Sequence, residues 1–121
     1  LSLRTVSGVV DTKVATRLAQ APSYKGSFNP AEDAFTLGVI PQHHFIGSLD
    51  QEVPPAVLHS YLDAMGPSRC VRTTMVQGVS HRKGWAKHWP SLLKEPLDCT
   101  ARDVQYLLEN PEQDNFIEEG L

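Results

Sequence analysis

One aspartate and one histidine stand in matching surroundings and could together do acid–base chemistry. Asp50 lies in Gly47-Ser48-Leu49-Asp50-Gln51-Glu52-Val53-Pro54, and His81 in Gly78-Val79-Ser80-His81-Arg82-Lys83-Gly84-Trp85. In both segments a glycine closes a strand-like run and a titratable residue follows in the turn. An aspartate beside a histidine accepts the imidazole Nδ1 proton. That fixes the tautomer and stabilises the imidazolium formed when the other nitrogen takes up a proton. Such a pair is a general base in want of a nucleophile. Singly, each also fits a bland role, Asp50 as a turn aspartate and His81 as a surface loop histidine. The case for function rests on their being brought together.

The elements that must do this are readable. Leu3 to Val10, Gln42 to Gly47 and Val71 to Val76 read as strands. Helical patterns lie between and after them, the signature of βα units in a parallel α/β sheet. Asn29-Pro30-Ala31-Glu32 combines a cap residue, a proline at the first helical position and a glutamate three residues after the cap, so a helix is expected to run to Leu37. The next begins at Pro54 or Pro55 and aligns Val57, Leu58, Tyr61, Leu62 and Met65 on one face, ending at Gly66-Pro67. Trp85, Trp89, Leu92 and Leu93 share a side of a third helix, read as core; Pro90 fits if the regular helix starts near Lys87. A last helix is expected from Thr100 to Glu109. Right-handed crossovers make the strands parallel, and catalytic groups in such sheets lie beyond the carboxyl ends of the strands, where Asp50 and His81 fall.

No serine in the chain is fit to serve the pair. Ser80 abuts His81 in a glycine-serine segment that lacks the final glycine of a G-x-S-x-G elbow, Ser7 falls within the first strand, and Ser48 lacks a second glycine. Glu52 ranks second as acid, since a carboxylate at a helix start is favoured by the helix dipole alone. His43 and His44 are strand neighbours that point to opposite faces, so they cannot jointly hold a metal; one is expected under a helix and the other against a loop. His59 and His88 add no H-x₃-H pair, and neither a metal nor a cofactor is expected. Asp11, Tyr24 and Phe28, with Thr12, lie in the connection after the first strand and are expected to shape a substrate pocket, ordinary loop packing being the alternative. Cys70 and Cys99 lack metal-site spacing. They could bridge in an oxidising compartment, but two buried thiols is the favoured reading.

A chain of 121 residues with 40% hydrophobic residues suits one compact domain or one part of a larger one. Its net charge of −3 and the short Arg82-Lys83 cluster do not make a nucleic-acid surface, and no apolar run approaches the roughly 20 residues of a membrane span. Residues 1–98 read as the α/β part and 99–121 as a terminal helix and acidic tail. The chain opens on Leu1 and an apolar stretch, so its natural start is expected upstream.

The segments G-S-L-D-Q-E-V-P-P and V-Q-G-V-S-H-R-K-G-W, with G-S-F-N-P, I-P-Q-H-H-F-I-G-S-L-D and G-W-A-K-H-W-P-S-L-L, resemble the end of an α/β-hydrolase, in particular one group of bacterial members. The resemblance covers residues 3–93. It implies that the three strands are the sixth to eighth of that fold, that Asp50 is the triad acid and His81 the triad base, and that the serine and oxyanion hole lie upstream. It further implies a serine esterase-like activity on a small-molecule ester in the complete protein, with this chain alone inactive. The partner is then the N-terminal half of the same protein. The exposed first strand also offers self-association. The alternative is a non-catalytic fragment or binding module that keeps the hydrolase fold.

Overall fold

The computed structural model describes residues 1–99 and the backbone of Ile117–Glu119. The expected helix from Thr100 to Glu109 lies outside the described residues. Four strands, β1 (Leu3–Val6), β2 (Gln42–Gly47), β3 (Val71–Val76) and β4 (Ile117–Glu119), form one parallel sheet in the order β1-β2-β3-β4. The helices are α1 (Thr12–Leu18), α2 (Ala34–Leu37), α3 (Pro55–Met65) and α4 (Trp85–Leu92). The α/β class is therefore as expected, and β2, β3 and α3 occupy the ranges read from the sequence.

The sheet is covered on both faces. Period-2 alternation sends Ile46 and Val71 to one face, where they pack with Val10, Ala15, Ala34 and the α3 stripe of Val57, Leu58, Tyr61, Leu62 and Met65. Phe45 and Val76 point to the other face, against Val79, Leu92, Trp85 and Trp89. This is why both His43 and His44 are buried, at 2% and 1% exposure: His44 meets Tyr61 of α3 edge-on, and His43 lies on the opposite face in register with Arg4 and Arg72. His44 Nε2 donates to Gln42 Oε1 at 2.8 Å and its Nδ1 accepts from Thr5 Oγ1 at 2.6 Å, and the Tyr61 hydroxyl donates to the same Gln42 oxygen at 2.9 Å. His43 bonds Thr74 Oγ1 at 2.7 Å and stacks on Phe45, with ring centroids 4.1 Å apart. Burial lowers both imidazoles to about 4, helped by Arg72 and Arg4 around His43 and by His43 beside His44.

Several expectations need correction. β1 stops at Val6, not Val10, because Ser7 turns the chain out of the strand with a φ of 53°. The connection after it contains an unexpected helix, α1, capped by Asp11. The Asn29 cap is in place, accepting from the Ala31 amide, but the helix behind it opens as a 3-10 turn, Pro30–Asp33, before α2. And α4 starts at Trp85 rather than near Lys87: Gly84, at a φ of 98°, allows an abrupt entry, and Pro90 sits just past the first turn. Leu93 is 46% exposed, outside the core it was read into, since the helix ends at Leu92.

Cys70 and Cys99 are joined in a disulfide, against the reading of two thiols. After α4 the chain doubles back to the amino end of the sheet, where Arg4 donates to the Glu95 carbonyl at 3.2 Å and Arg72 meets Asp98 at 3.9 Å. That return brings Cys99 to the residue just before β3. For a sequence separation of 29, the loop-closure entropy removed from the unfolded chain corresponds to about 3 to 4 kcal/mol.

Candidate active site

The carboxyl ends of β2 and β3 are level, Gly47 pairing with Val76. Both strands leave the sheet in turns that are sewn to each other. Ser48 donates its amide to the Val76 carbonyl at 3.1 Å, Leu49 its amide to the Val79 carbonyl at 3.0 Å, and Gly78 its amide to Ser48 Oγ at 2.8 Å. A side chain at Gly47 would run into the Val79 carbonyl, so glycine is required there by the approach of the second turn and not by its own torsions. Gly78, at a φ of 78°, is required by its torsion.

Asp50 closes the first turn. Its Oδ1 accepts the amides of Glu52 at 2.9 Å and Val53 at 2.8 Å, which locks the carboxylate over the entry to α3. Its Oδ2 faces His81 Nδ1 at 2.9 Å. Burial alone would raise this carboxyl; the Val53 amide, His81, Ser7 and the Glu52 amide outweigh it and hold Asp50 below the ordinary aspartate value. An ionised carboxylate only accepts, so the shared proton belongs to His81 Nδ1 and the lone pair is left on Nε2. Nε2 makes no hydrogen bond among the described residues, and the His81 side chain is 28% exposed. The pair thus presents a buried acid and a half-open base.

The second turn is braced around His81. The Ser80 amide donates to the Lys83 carbonyl at 3.1 Å, the Lys83 amide to Ser80 Oγ at 3.2 Å, and Trp85 Nε1 to the Ser80 carbonyl at 3.0 Å. Across the rim, Arg82 and Glu52 form a two-pronged ion pair, both contacts 3.1 Å. Glu52, the second-ranked acid, is therefore occupied by Arg82, whose hydrogen bond is the main cause of its lowered carboxyl.

The expected pocket residues Asp11, Tyr24 and Phe28 share no hydrogen bond with the pair. Asp11 is 6% exposed, and both of its carboxylate oxygens are engaged in holding the fold. Oδ1 takes the Lys13 and Val14 amides and Asn29 Nδ2, and Oδ2 takes the Ser60 hydroxyl at 2.6 Å. Tyr24 and Phe28 are 54% and 65% exposed on the connection between α1 and the 3-10 turn, and neither shares a hydrogen bond or ring contact with the pair. The residue missed by sequence reasoning is Ser7, placed inside a strand but found at its end, buried at 7%. Ser7-Gly8, ahead of an aspartate that can cap a helix, was the signal available. Among the described residues, no three histidine, cysteine, aspartate or glutamate side chains are grouped to hold a metal ion, and no helix is long and apolar enough to cross a membrane.

No family model, curated protein or solved structure matches the chain.

Proposed function

We propose that this chain is the C-terminal part of a serine hydrolase of the α/β-hydrolase type, supplying the acid and base of a Ser-His-Asp triad. The observation that carries this is the 2.9 Å contact between Asp50 and His81 Nδ1, at the level carboxyl ends of neighbouring parallel strands. His81 Nε2 takes the proton from a serine hydroxyl as it attacks an ester carbonyl, then returns it to the leaving alcohol; the acyl-enzyme is opened by water through the same base. Asp50 holds the ring in the Nδ1–H tautomer and stabilises the imidazolium between the two transfers. The serine and the oxyanion donors come from the upstream half of the protein. That half joins the sheet along the outer edge of β1, where Leu3 and Val6 are 39% and 38% exposed. The Cys70–Cys99 disulfide fits an oxidising compartment.

The test is made on the complete protein. A serine-directed fluorophosphonate should label it and block its hydrolysis of a short-chain ester, and His81→Ala should remove nearly all labelling and turnover. Labelling at an unchanged rate in the His81→Ala protein would overturn the assignment.

The open β1 edge favours a second reading, in which this chain is an assembly module that pairs β1 with another chain. Size-exclusion chromatography separates the two: a monomer at high concentration counts against the module.

A further inference from the structure

Ser7 is an anomaly twice over. Its backbone adopts a φ of 53°, a left-handed conformation that a residue with a side chain adopts only at a cost, and glycine, which would take it freely, stands next door as Gly8. Its hydroxyl is fully enclosed yet meets no partner at good hydrogen-bonding geometry. An enclosed hydroxyl without a partner is destabilising. A strained backbone and an unspent buried donor at one residue need a common cause.

Position supplies one. Val6 pairs with Phe45, and the Ser7 amide donates to the Phe45 carbonyl at 2.9 Å, so Ser7 is the first residue beyond β1 at the carboxyl edge of the sheet. β2 leaves the same edge toward Asp50. β1 and β2 are neighbours, so Ser7 and the turn holding Asp50 leave the same edge side by side, and the left-handed turn takes the Ser7 side chain out of the strand's alternation; the lowered Asp50 carboxyl agrees with a hydroxyl donor on that side. On Asp50, Oδ1 is filled by two amides while Oδ2 carries the His81 contact alone, leaving room for one more donor. The other charged groups around this carboxylate are His81 itself and the exposed Glu52–Arg82 pair.

We propose that Ser7 is a positioning residue for the Asp50–His81 pair, its hydroxyl closing on the Asp50 carboxylate and fixing the plane in which that carboxylate meets the imidazole. The serine touches neither the substrate nor the imidazole; it acts through the acid. The inference rests on the hydrolase reading for its purpose, but its physical content is confined to this chain and can be tested without any activity.

The experiment follows the Asp50 carboxyl by carbon-13 NMR titration, and the His81 tautomer by nitrogen-15 shifts, in the chain and its Ser7→Ala and Ser7→Gly variants. Glycine removes the hydroxyl while relieving the left-handed backbone, so it keeps the fold where alanine fails to. Loss of the hydroxyl should raise the Asp50 midpoint by about half a unit to one unit. It should also weaken the Nδ1–H preference of His81, in the glycine variant as much as in the alanine one. A stably folded Ser7→Gly chain with the Asp50 midpoint and His81 tautomer of the parent would overturn the proposal and leave the pair standing. A parent chain in which His81 shows no Nδ1–H preference would overturn both the proposal and the pair.

Discussion

Asp11 and Asp50 are nearly the same object in two places. Each follows a strand, each is almost fully buried, and each uses Oδ1 to accept the amides two and three residues ahead, at the start of a helix or the turn leading into one. Each is held below the ordinary aspartate value because such hydrogen bonds outweigh burial. They part at Oδ2, which takes the Ser60 hydroxyl in Asp11 and His81 Nδ1 in Asp50. A serine hydroxyl on α3 makes the first a brace between two helices. An imidazole on a neighbouring turn makes the second the acid of a base. Local geometry does not distinguish an ordinary capping aspartate from a catalytic one; the partner on the far oxygen does.

Acid separates the two carboxylates from the histidines beneath them. His43 and His44 are lowered from 6.5 to about 4, so the unfolded chain binds their protons first. The stability they confer is complete above pH 6.5 and is lost as pH falls from there through about 4, by up to about 3 kcal/mol for His44. The two aspartates work lower, keeping their contribution above about 3.8 and losing it as pH falls through their depressed values. Urea unfolding at pH 7 and pH 4.5 should show the loss in the parent, and a stability flat across that window would contradict the burial of neutral imidazoles.

Gly47→Ala attacks the Asp50 side alone. The added methyl runs into the Val79 carbonyl, and overpacking of this kind costs about 1 to 3 kcal/mol. The turn carrying His81 should move away from Asp50, seen as loss of the His81 Nδ1–H signature, while the Asp11–Ser60 contact stays intact. Asp11→Ala does the reverse. It removes a helix cap and strands the Ser60 and Asn29 donors, lowering stability by about 1 to 2 kcal/mol in thermal or urea unfolding, with the His81 tautomer unchanged. The smallest effect belongs to Arg82→Ala. The Arg82–Glu52 pair is exposed on both sides, and ester turnover in the complete protein should change less than twofold.

How much of this was legible follows from the same contrast. β2, β3 and α3 were readable because glycines and prolines bound them and their burial follows period 2 or the helical stripe. The pair was readable because both residues occupy one structural position, the turn after a strand. Asp11 was misplaced because the apolar run Val9-Val10 looks like continued strand, whereas Ser7 has already turned the chain and Val10 packs under α3. Asp11, followed by Val14, Ala15 and Leu18 at helical spacing, carried the signal for α1. The disulfide depends on where the chain goes after α4, which no spacing between Cys70 and Cys99 reveals.

The most direct test is a matched comparison of Asp50→Asn and Asp11→Asn in the complete protein, with ester turnover expressed per folded molecule. Asparagine keeps the amide-accepting oxygen in both places and puts an uncharged N–H donor where the charged acceptor faced His81 or Ser60. Asp50→Asn should lower turnover by something of order 10⁴, because the imidazole loses both its tautomer and the countercharge for its protonated form. Asp11→Asn should leave turnover per folded molecule within a few fold of the parent. Equal turnover in the two variants would contradict the claim that Asp50 acts on His81 while Asp11 only holds the fold.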